Sequence, residues 1–426
     1  MRPPLPPSAA RWRDDVPFLV FLATVPLCLL RAKDLPSVEV GPLDVTIADV
    51  FLAATALLAL VRLRERRRLP APWLLGAAFA FGALLVVTAL PNGSDALTAA
   101  GKIAELGALT LGAALFLDSS QRVRAFLGVV VVFATVAAAW AFLGFLTSDR
   151  GRQAGFMGEH DMAALATLAA AVGLARLHAR RGRSPGWVAI AGLTAGLVGA
   201  VLAASLASLI GIYLTCLVVL VLSARRRDLR LGSALVTVAL ATVATAGTLA
   251  LRQGELGFLQ EWFGTPSDNP GANAASWSHR LVYTYIGGRI FLDHPLLGTG
   301  WHGLLPPEEF ARYVPDARRR FPDQPSNYFP PTDEGYIPQQ TYDQVLFELG
   351  LVGAALFVVL AGLAIWRAAV AARRRPGEHA YLPSAWLAAL AGALAGAALF
   401  GGSPLTAMLW LTLGFVAAES DLPEAA

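Results

Sequence analysis

Arginine, histidine and carboxylate residues gather at three places in this 426-residue chain, at spacings suited to holding an anion or moving a proton. The first is Arg150-Gly-Arg152-Gln-Ala-Gly155-Phe156-Met-Gly158-Glu159-His160-Asp161. Arginine keeps its charge and presents a planar fork that grips phosphate through two parallel hydrogen bonds. Arg152 is therefore a candidate anion ligand, set against the simpler role of a side chain snorkelling at a membrane interface. His160 is a candidate substrate contact in the same segment.

The second place is Ser278-His279-Arg280, then Gly287-Gly288-Arg289, then Asp293-His294-Pro295-Leu296-Leu297-Gly298-Thr299-Gly300-Trp301-His302. Arg280 and Arg289 are candidate anion ligands, and His279, His294 and His302 are candidate ligands or bases. A histidine near a membrane interface is more often simply packed or hydrogen-bonded. Pro295 and Gly298 read as helix-ending turn residues. Gly-Thr-Gly-Trp-His-Gly is not a phosphate loop, because it lacks the Gly-Lys-Ser/Thr ending and the preceding strand. The third place runs from Gln339-Gln340-Thr341-Tyr342-Asp343-Gln344 to Glu348-Leu-Gly350-Leu-Val-Gly353. A carboxyl at Glu348, one turn into an apolar helix, is costly in lipid and so faces the protein interior. A hydrogen bond that orients the helix is its simplest role there.

The elements that position these residues follow from composition. The chain is 56% apolar and 15% charged, where soluble domains carry about 25% charge. Too few charges exist to cover a soluble surface. Those present crowd between apolar runs of about 17–25 residues, the length of a bilayer-crossing helix. The spacing predicts an all-α, polytopic transmembrane bundle of twelve spans, near 16–31, 46–62, 72–90, 98–117, 124–147, 162–178, 187–203, 205–224, 232–251, 344–366, 384–400 and 404–418. Only Ala204-Ser205 separates the seventh and eighth runs, so one long broken element is the alternative there. Glycine and alanine fill the runs, as close helix packing in lipid favours.

Charge sets the expected orientation. With both termini cytoplasmic, the inner segments and their span ends hold 22 of the 34 basic residues, all arginine; Lys33 and Lys102 are the chain's two lysines and lie elsewhere. That bias matches the positive-inside rule. Three units result: spans one to nine over 1–251, a large extracytoplasmic loop with short helices over 252–343, and spans ten to twelve over 344–426. No basic stretch is interleaved with aromatics as base stacking needs, which excludes nucleic acid. Cys28 and Cys216 lie in apolar runs without a zinc or disulfide spacing. Asp34, Glu39 and Asp44 make no recognised metal-ligand set and read as solvated. The stretch 16–30 has basic residues ahead of it but no small-x-small cleavage site, so no cleavable leader is expected.

Together the three places resemble the O-antigen ligase and polymerase superfamily of bacterial membrane glycosyltransferases. Arg152-x-x-Gly155-Phe156 is similar to that family's first arginine motif. Arg280, fourteen residues ahead of His294-Pro-Leu-Leu-Gly-Thr-Gly, is similar to the second, and Glu348-x-Gly350-x-x-Gly353 to the family's Glu-x-Gly-x-x-Gly. The resemblance runs over roughly residues 45–415, with its specific motifs confined to about forty of them. It implies transfer of a glycan from an undecaprenyl-diphosphate carrier to an acceptor hydroxyl, a lipid A core sugar or another glycan. The reaction would take place at the outer face of the cytoplasmic membrane, without metal or cofactor, and would invert the anomeric centre. Arg152 and Arg280 would clamp the diphosphate, with Arg289 a weaker third.

One departure matters. Many relatives carry a His-Asn pair before the glutamate, the histidine acting as base, and counting back nine and eight positions from Glu348 lands on Gln339 and Gln340. Glutamine cannot take a proton near neutral pH. Either another group serves (Asp343, Glu334, Asp333 or one of His279, His294 and His302), or the reaction is dissociative enough to need no base, or activity is lost. A twelve-span transporter is the competing class, but no matching motif repeats in the first half of the chain, as transporter repeats would require.

Overall fold

The computed structural model describes residues 15–40, 43–66, 68–148, 151–179, 186–252, 274–302, 311–330 and 338–421. Helices run over Val16–Cys28 (α1), Ile47–Arg66 (α2), Pro72–Ala89 (α3), Gly93–Ala104 (α4), Gly107–Phe116 (α5), Ser120–Thr147 (α6), Glu159–Ala179 (α7), Trp187–Ala203 (α8), Leu206–Arg225 (α9) and Leu231–Leu251 (α10). They continue with Ala274–Asp293 (α11), Val314–Arg320 (α12), Thr341–Arg374 (α13), Leu382–Leu394 (α14) and Pro404–Asp421 (α15). Among the described residues the strands form one antiparallel hairpin, Ser37–Val40 (β1) against Leu43–Thr46 (β2).

Helix is what apolar runs must form in lipid, where every backbone group needs an internal partner. Among the described residues six stretches are long and apolar enough to cross a bilayer: Pro72–Phe116, Ser120–Thr147, Glu159–Ala179, Leu206–Arg225, Leu231–Leu251 and Thr341–Arg374. This is an all-α membrane protein. All twelve runs read from the sequence contain helix, with two differences of detail. The run at 98–117 is two helices, α4 and α5, broken at Glu105-Leu106. The break falls where the run is charged: Lys102 pairs with Asp49 and lies 3.6 Å from the Glu105 carboxylate. The run at 384–400 stops being helical at Leu394. Residues 204–205 do separate two helices, with Ala204 in a left-handed turn at φ 46°.

The centre of the bundle is α7 and α15, which are buried on all sides from Met162 to Ala175 and from Pro404 to Ser420. Small residues permit that density. On α8, a Cβ at Gly192 would sit 2.7 Å from the Ala169 carbonyl oxygen of α7, and one at Gly196 2.7 Å from Ala170 Cβ. A second apolar cluster lies outside this core, where Val282, Ile286 and Ile290 of α11 meet Ala317 of α12, Phe329 and Phe347 of α13.

The arginine-rich segments meet at one end of the bundle. Asp118 takes hydrogen bonds from Arg62 (3.3 Å), Arg66 and Arg122 (3.1 Å), and Arg122 also reaches Asp15 at the start of α1. Arg176 lies 2.9 Å from Glu378. Arg226 donates to the carbonyls of Ala372 and Arg375, and Arg375 to that of Ser420, so guanidiniums occupy carbonyls that helix ends leave open.

His379 closes this end. Burial alone would lower its pKa, but its hydrogen bond to Glu419 and the charges of Glu419 and Glu378 outweigh that and raise it above the ordinary histidine value. A raised folded-state pKa contributes stability that is complete below the unfolded value and lost as pH rises through the folded one. Thermal unfolding in detergent is therefore expected to show a melting temperature that declines above about pH 6.5. His379→Gln should flatten that decline, and a wild-type profile already flat across the range would contradict the account.

Candidate functional site

The opposite helix ends enclose a cavity of about 360 Å³ lined by Arg152, Arg252 and Arg280 together with Glu159, His160, Thr284 and Gln340. Ser205, Leu206, Ala207, Ile210, Leu281 and Ala395 complete the wall. Arg152 lies in the irregular segment before α7 and pairs with Glu159 in the first turn of that helix. The segment is itself anchored, since Gln153 N–H donates to the Leu202 carbonyl at the end of α8 (2.9 Å). Arg252 caps α10, is 9% exposed, and donates from Nη1 to the Ala204 carbonyl at 3.0 Å. Arg280 projects from α11, one turn before Thr284 on the same face. Burial, together with the positive charge of Arg252, pulls its guanidinium below the usual arginine pKa. Three like charges aimed into one partly buried space are destabilising unless an anion joins them.

The sequence brought Arg152, Arg280 and His160 forward, and the structure brings them to this one cavity. It also adds Arg252, which sequence reasoning missed although the available signal was the one that singled out Arg152: arginine on the side opposite the basic bias. Arg289 goes elsewhere. Nine residues beyond Arg280 on a helix is half a turn out of phase, and its Nε lies 3.4 Å from Asp316 of α12. Asp343 sits beside the wall, accepting hydrogen bonds from Thr284 Oγ1 and Gln340 Nε2, both at 2.6 Å. Gln340 lines the cavity and Gln339 does not.

The remaining histidines are placed differently. His279 packs on the Tyr283 ring at 4.1 Å between centroids, and burial with the neighbouring Arg280 charge lowers its pKa, leaving it neutral near pH 7. His302 is buried and is not among the cavity-lining residues. His294 uses its carbonyl to accept from Gly298 N–H at 3.0 Å. Arg150, Asp333 and Glu334 lie outside the described residues.

Glu348 is fully buried in α13, where Gln344 Nε2 approaches its Oε2 at 3.5 Å. Its motif has a structural use that the backbone makes plain. Gly350, at φ 59° and ψ −156°, breaks the helical pattern. In an unbroken helix Leu351 and Val352 N–H would donate to the carbonyls of Phe347 and Glu348. Here they donate instead to Pro295 (2.8 Å) and Leu296 (3.1 Å), and the freed carbonyls accept from Thr299 (3.2 Å) and Gly300 (2.9 Å). The 294–300 turn is thus inserted into the kink of α13, exchanging two helical bonds for four across the junction. Asn92 fastens the far side of the turn, donating to the carbonyls of Thr299 (3.3 Å) and Trp301 (3.1 Å). Because α11 leads directly into this turn, the junction fixes where Arg280 points.

Residues 189–358 match a family model described as O-antigen ligase. The matched stretch contains Arg252, Arg280, the 294–300 turn and the Glu348–Gly353 motif, and it excludes Arg152. No curated protein matches the chain.

The junction generates a direct test. A Cβ at position 350 would lie 2.6 Å from Gly298 N and Leu296 O, in a backbone region essentially reserved for glycine. Gly350→Ala is expected to cost at least about 1–3 kcal/mol in unfolding measurements. Gly362→Ala on the same helix, where a Cβ meets nothing within 4 Å, should be neutral or stabilising. Equal stability of the two variants would refute the junction.

Proposed function

Proceeding from the match of residues 189–358 to the O-antigen ligase family, which supports a place in the O-antigen ligase superfamily, we propose that this protein is an inverting membrane glycosyltransferase of the ligase type. It moves a glycan from an undecaprenyl-diphosphate carrier to an acceptor hydroxyl, on a lipid A core or another surface glycan. In this reading the chain crosses the bacterial cytoplasmic membrane twelve times, with the arginine-rich end and both termini inside. The cavity end and the segment 252–343 face the periplasmic side.

The convergence of Arg152, Arg252 and Arg280 on one cavity carries the proposal. Three guanidiniums against the single Glu159 carboxylate leave two positive charges, which balances the two negative charges of a diphosphate diester. When the sugar C1–O bond breaks, charge develops on the departing diphosphate oxygens. Fixed donors in a partly dehydrated site stabilise that charge without reorganising. The guanidiniums supply what a divalent cation supplies elsewhere, so the reading assigns no metal and no cofactor. Direct displacement by the acceptor oxygen inverts the anomeric carbon. Asp343 orients Thr284 and Gln340 on the wall, and the oxocarbenium-like transition state leaves little work for Gln339. His279, His302 and Glu348 act in this reading by holding the segments that carry Arg280.

A polymerase that joins lipid-linked repeat units is the second reading, kept because Gln339 stands where many relatives have histidine. Arg152→Ala and Arg280→Ala are each expected to lower transfer about a hundredfold or more, read as loss of surface glycan. In a deletion strain, long chains stranded on the carrier lipid identify a ligase, and single repeat units identify a polymerase. A surface glycan unchanged in length and amount in both arginine variants would overturn both readings.

A further inference from the structure

A second cavity, about 650 Å³ in volume, adjoins the arginine cavity and shares Glu159 and His160 with it as a common wall. Its lining draws on Arg31 and Lys33 after α1, Gly158 to Asp161 at the start of α7, and Gly401 to Pro404 before α15. Its size suits a ligand of a few sugar rings. The backbone shapes it deliberately. A Cβ at Gly158 would fall 1.7 Å from Arg31 Nη2, so only glycine lets that guanidinium lie across the segment. Asp161 fixes both sides of the chamber, with Oδ2 3.6 Å from Arg31 Nε and Oδ1 accepting from Leu405 N–H at 3.0 Å. Ala32 N–H donates to the Gly402 carbonyl at 3.3 Å, tying the two loops together.

His160 stands between the chambers, and its Nδ1 is buried without a hydrogen-bond partner among the described residues. A buried polar nitrogen left unmatched is rare, and here it borders two ligand-sized spaces.

We propose that this second cavity is the acceptor site, that it takes a glycan bearing an anionic group on Arg31 and Lys33, and that His160 receives the acceptor's proton. The assignment rests on the glycosyl-transfer reading of the adjacent cavity. In the transfer step the acceptor oxygen forms a bond to the sugar C1 while its hydrogen passes to the His160 imidazole. The C1–O bond to the diphosphate breaks, and its electron pair leaves with the diphosphate onto Arg152, Arg252 and Arg280. The imidazolium then returns its proton to solvent. The position of Gln339 thereby needs no base, because His160 takes the proton.

The test uses the full-length protein in nanodiscs and reads binding separately from turnover. A phosphorylated core oligosaccharide, the same oligosaccharide after phosphatase treatment, and a uronic-acid oligosaccharide are titrated in parallel with undecaprenyl diphosphate. One of the two anionic glycans is expected to bind saturably, and Arg31→Gln and Lys33→Gln are each expected to weaken it about tenfold, while undecaprenyl diphosphate binding is kept. The phosphatase arm decides whether phosphate or carboxylate is the recognised group. His160→Gln is expected to lower kcat about a hundredfold with both binding constants unchanged. Glycan binding unaltered in the Arg31 and Lys33 variants, or saturable binding by neither anionic glycan, would overturn the acceptor site. Undiminished kcat in the His160 variant would overturn the proton route. Failure of the donor reading shows separately, as undecaprenyl diphosphate binding that Arg152→Ala, Arg252→Ala and Arg280→Ala all leave unchanged.

Discussion

Guanidinium groups brought into one partly buried cavity repel each other, and the repulsion grows as water is excluded. Arg152, Arg252 and Arg280 share such a space because each is held in place by the groups around it. Arg252 is hydrogen-bonded to the open carbonyl of Ala204 at the end of α8. Arg152 is neutralised in part by Glu159 and sits on a segment anchored to Leu202. Arg280 rides on α11, whose exit turn is inserted into the kink of α13. Much of the architecture serves these three restraints. The buried helix α7 packs against α8, whose end supplies the Leu202 and Ala204 carbonyls, and α11 packs against α13.

Two different uses of arginine therefore divide the molecule. At one end guanidiniums meet carboxylates and helix-end carbonyls, so their charge is spent inside the protein. At the other end charge is left in excess around a cavity. In the proposed reading a lipid-linked diphosphate brings the matching negative charge, and the charge that develops on it as the C1–O bond breaks is what the excess stabilises. The adjoining chamber with Arg31 and Lys33 would extend the same logic to the second substrate under the proposed acceptor assignment. Between the two lies His160, whose buried Nδ1 has no hydrogen-bond partner among the described residues.

The apolar runs were legible in the sequence because a backbone in lipid has almost no choice but helix. The break at Glu105 was less so: Lys102 and Glu105 lie inside an apolar window, and their partner Asp49 is distant in sequence. In the site, Arg152 and Arg280 could be picked out by residue type and by their departure from the basic bias. Arg252 was passed over because it reads as the end of a span rather than the start of a motif. Arg289, a weaker third candidate by residue type, is set apart from Arg280 by helical phase, which turns it towards Asp316. The pairing of the 294–300 turn with the Glu348–Gly353 motif was not legible at all. It depends on backbone bonds between segments some fifty residues apart, which leave no side-chain signature except the glycines at 298, 300 and 350.

The central claim is that three arginines together hold a lipid diphosphate. Native mass spectrometry of the purified protein with undecaprenyl diphosphate and undecaprenyl monophosphate tests it most directly, with Arg252→Ala as the variant because that residue carries no motif. The account predicts that the wild-type protein retains the diphosphate in preference to the monophosphate. The variant should lose about tenfold in diphosphate retention, the loss of one charge-assisted contact. A variant that holds the diphosphate as tightly as the wild type, or a wild type indifferent to the second phosphate, would contradict it.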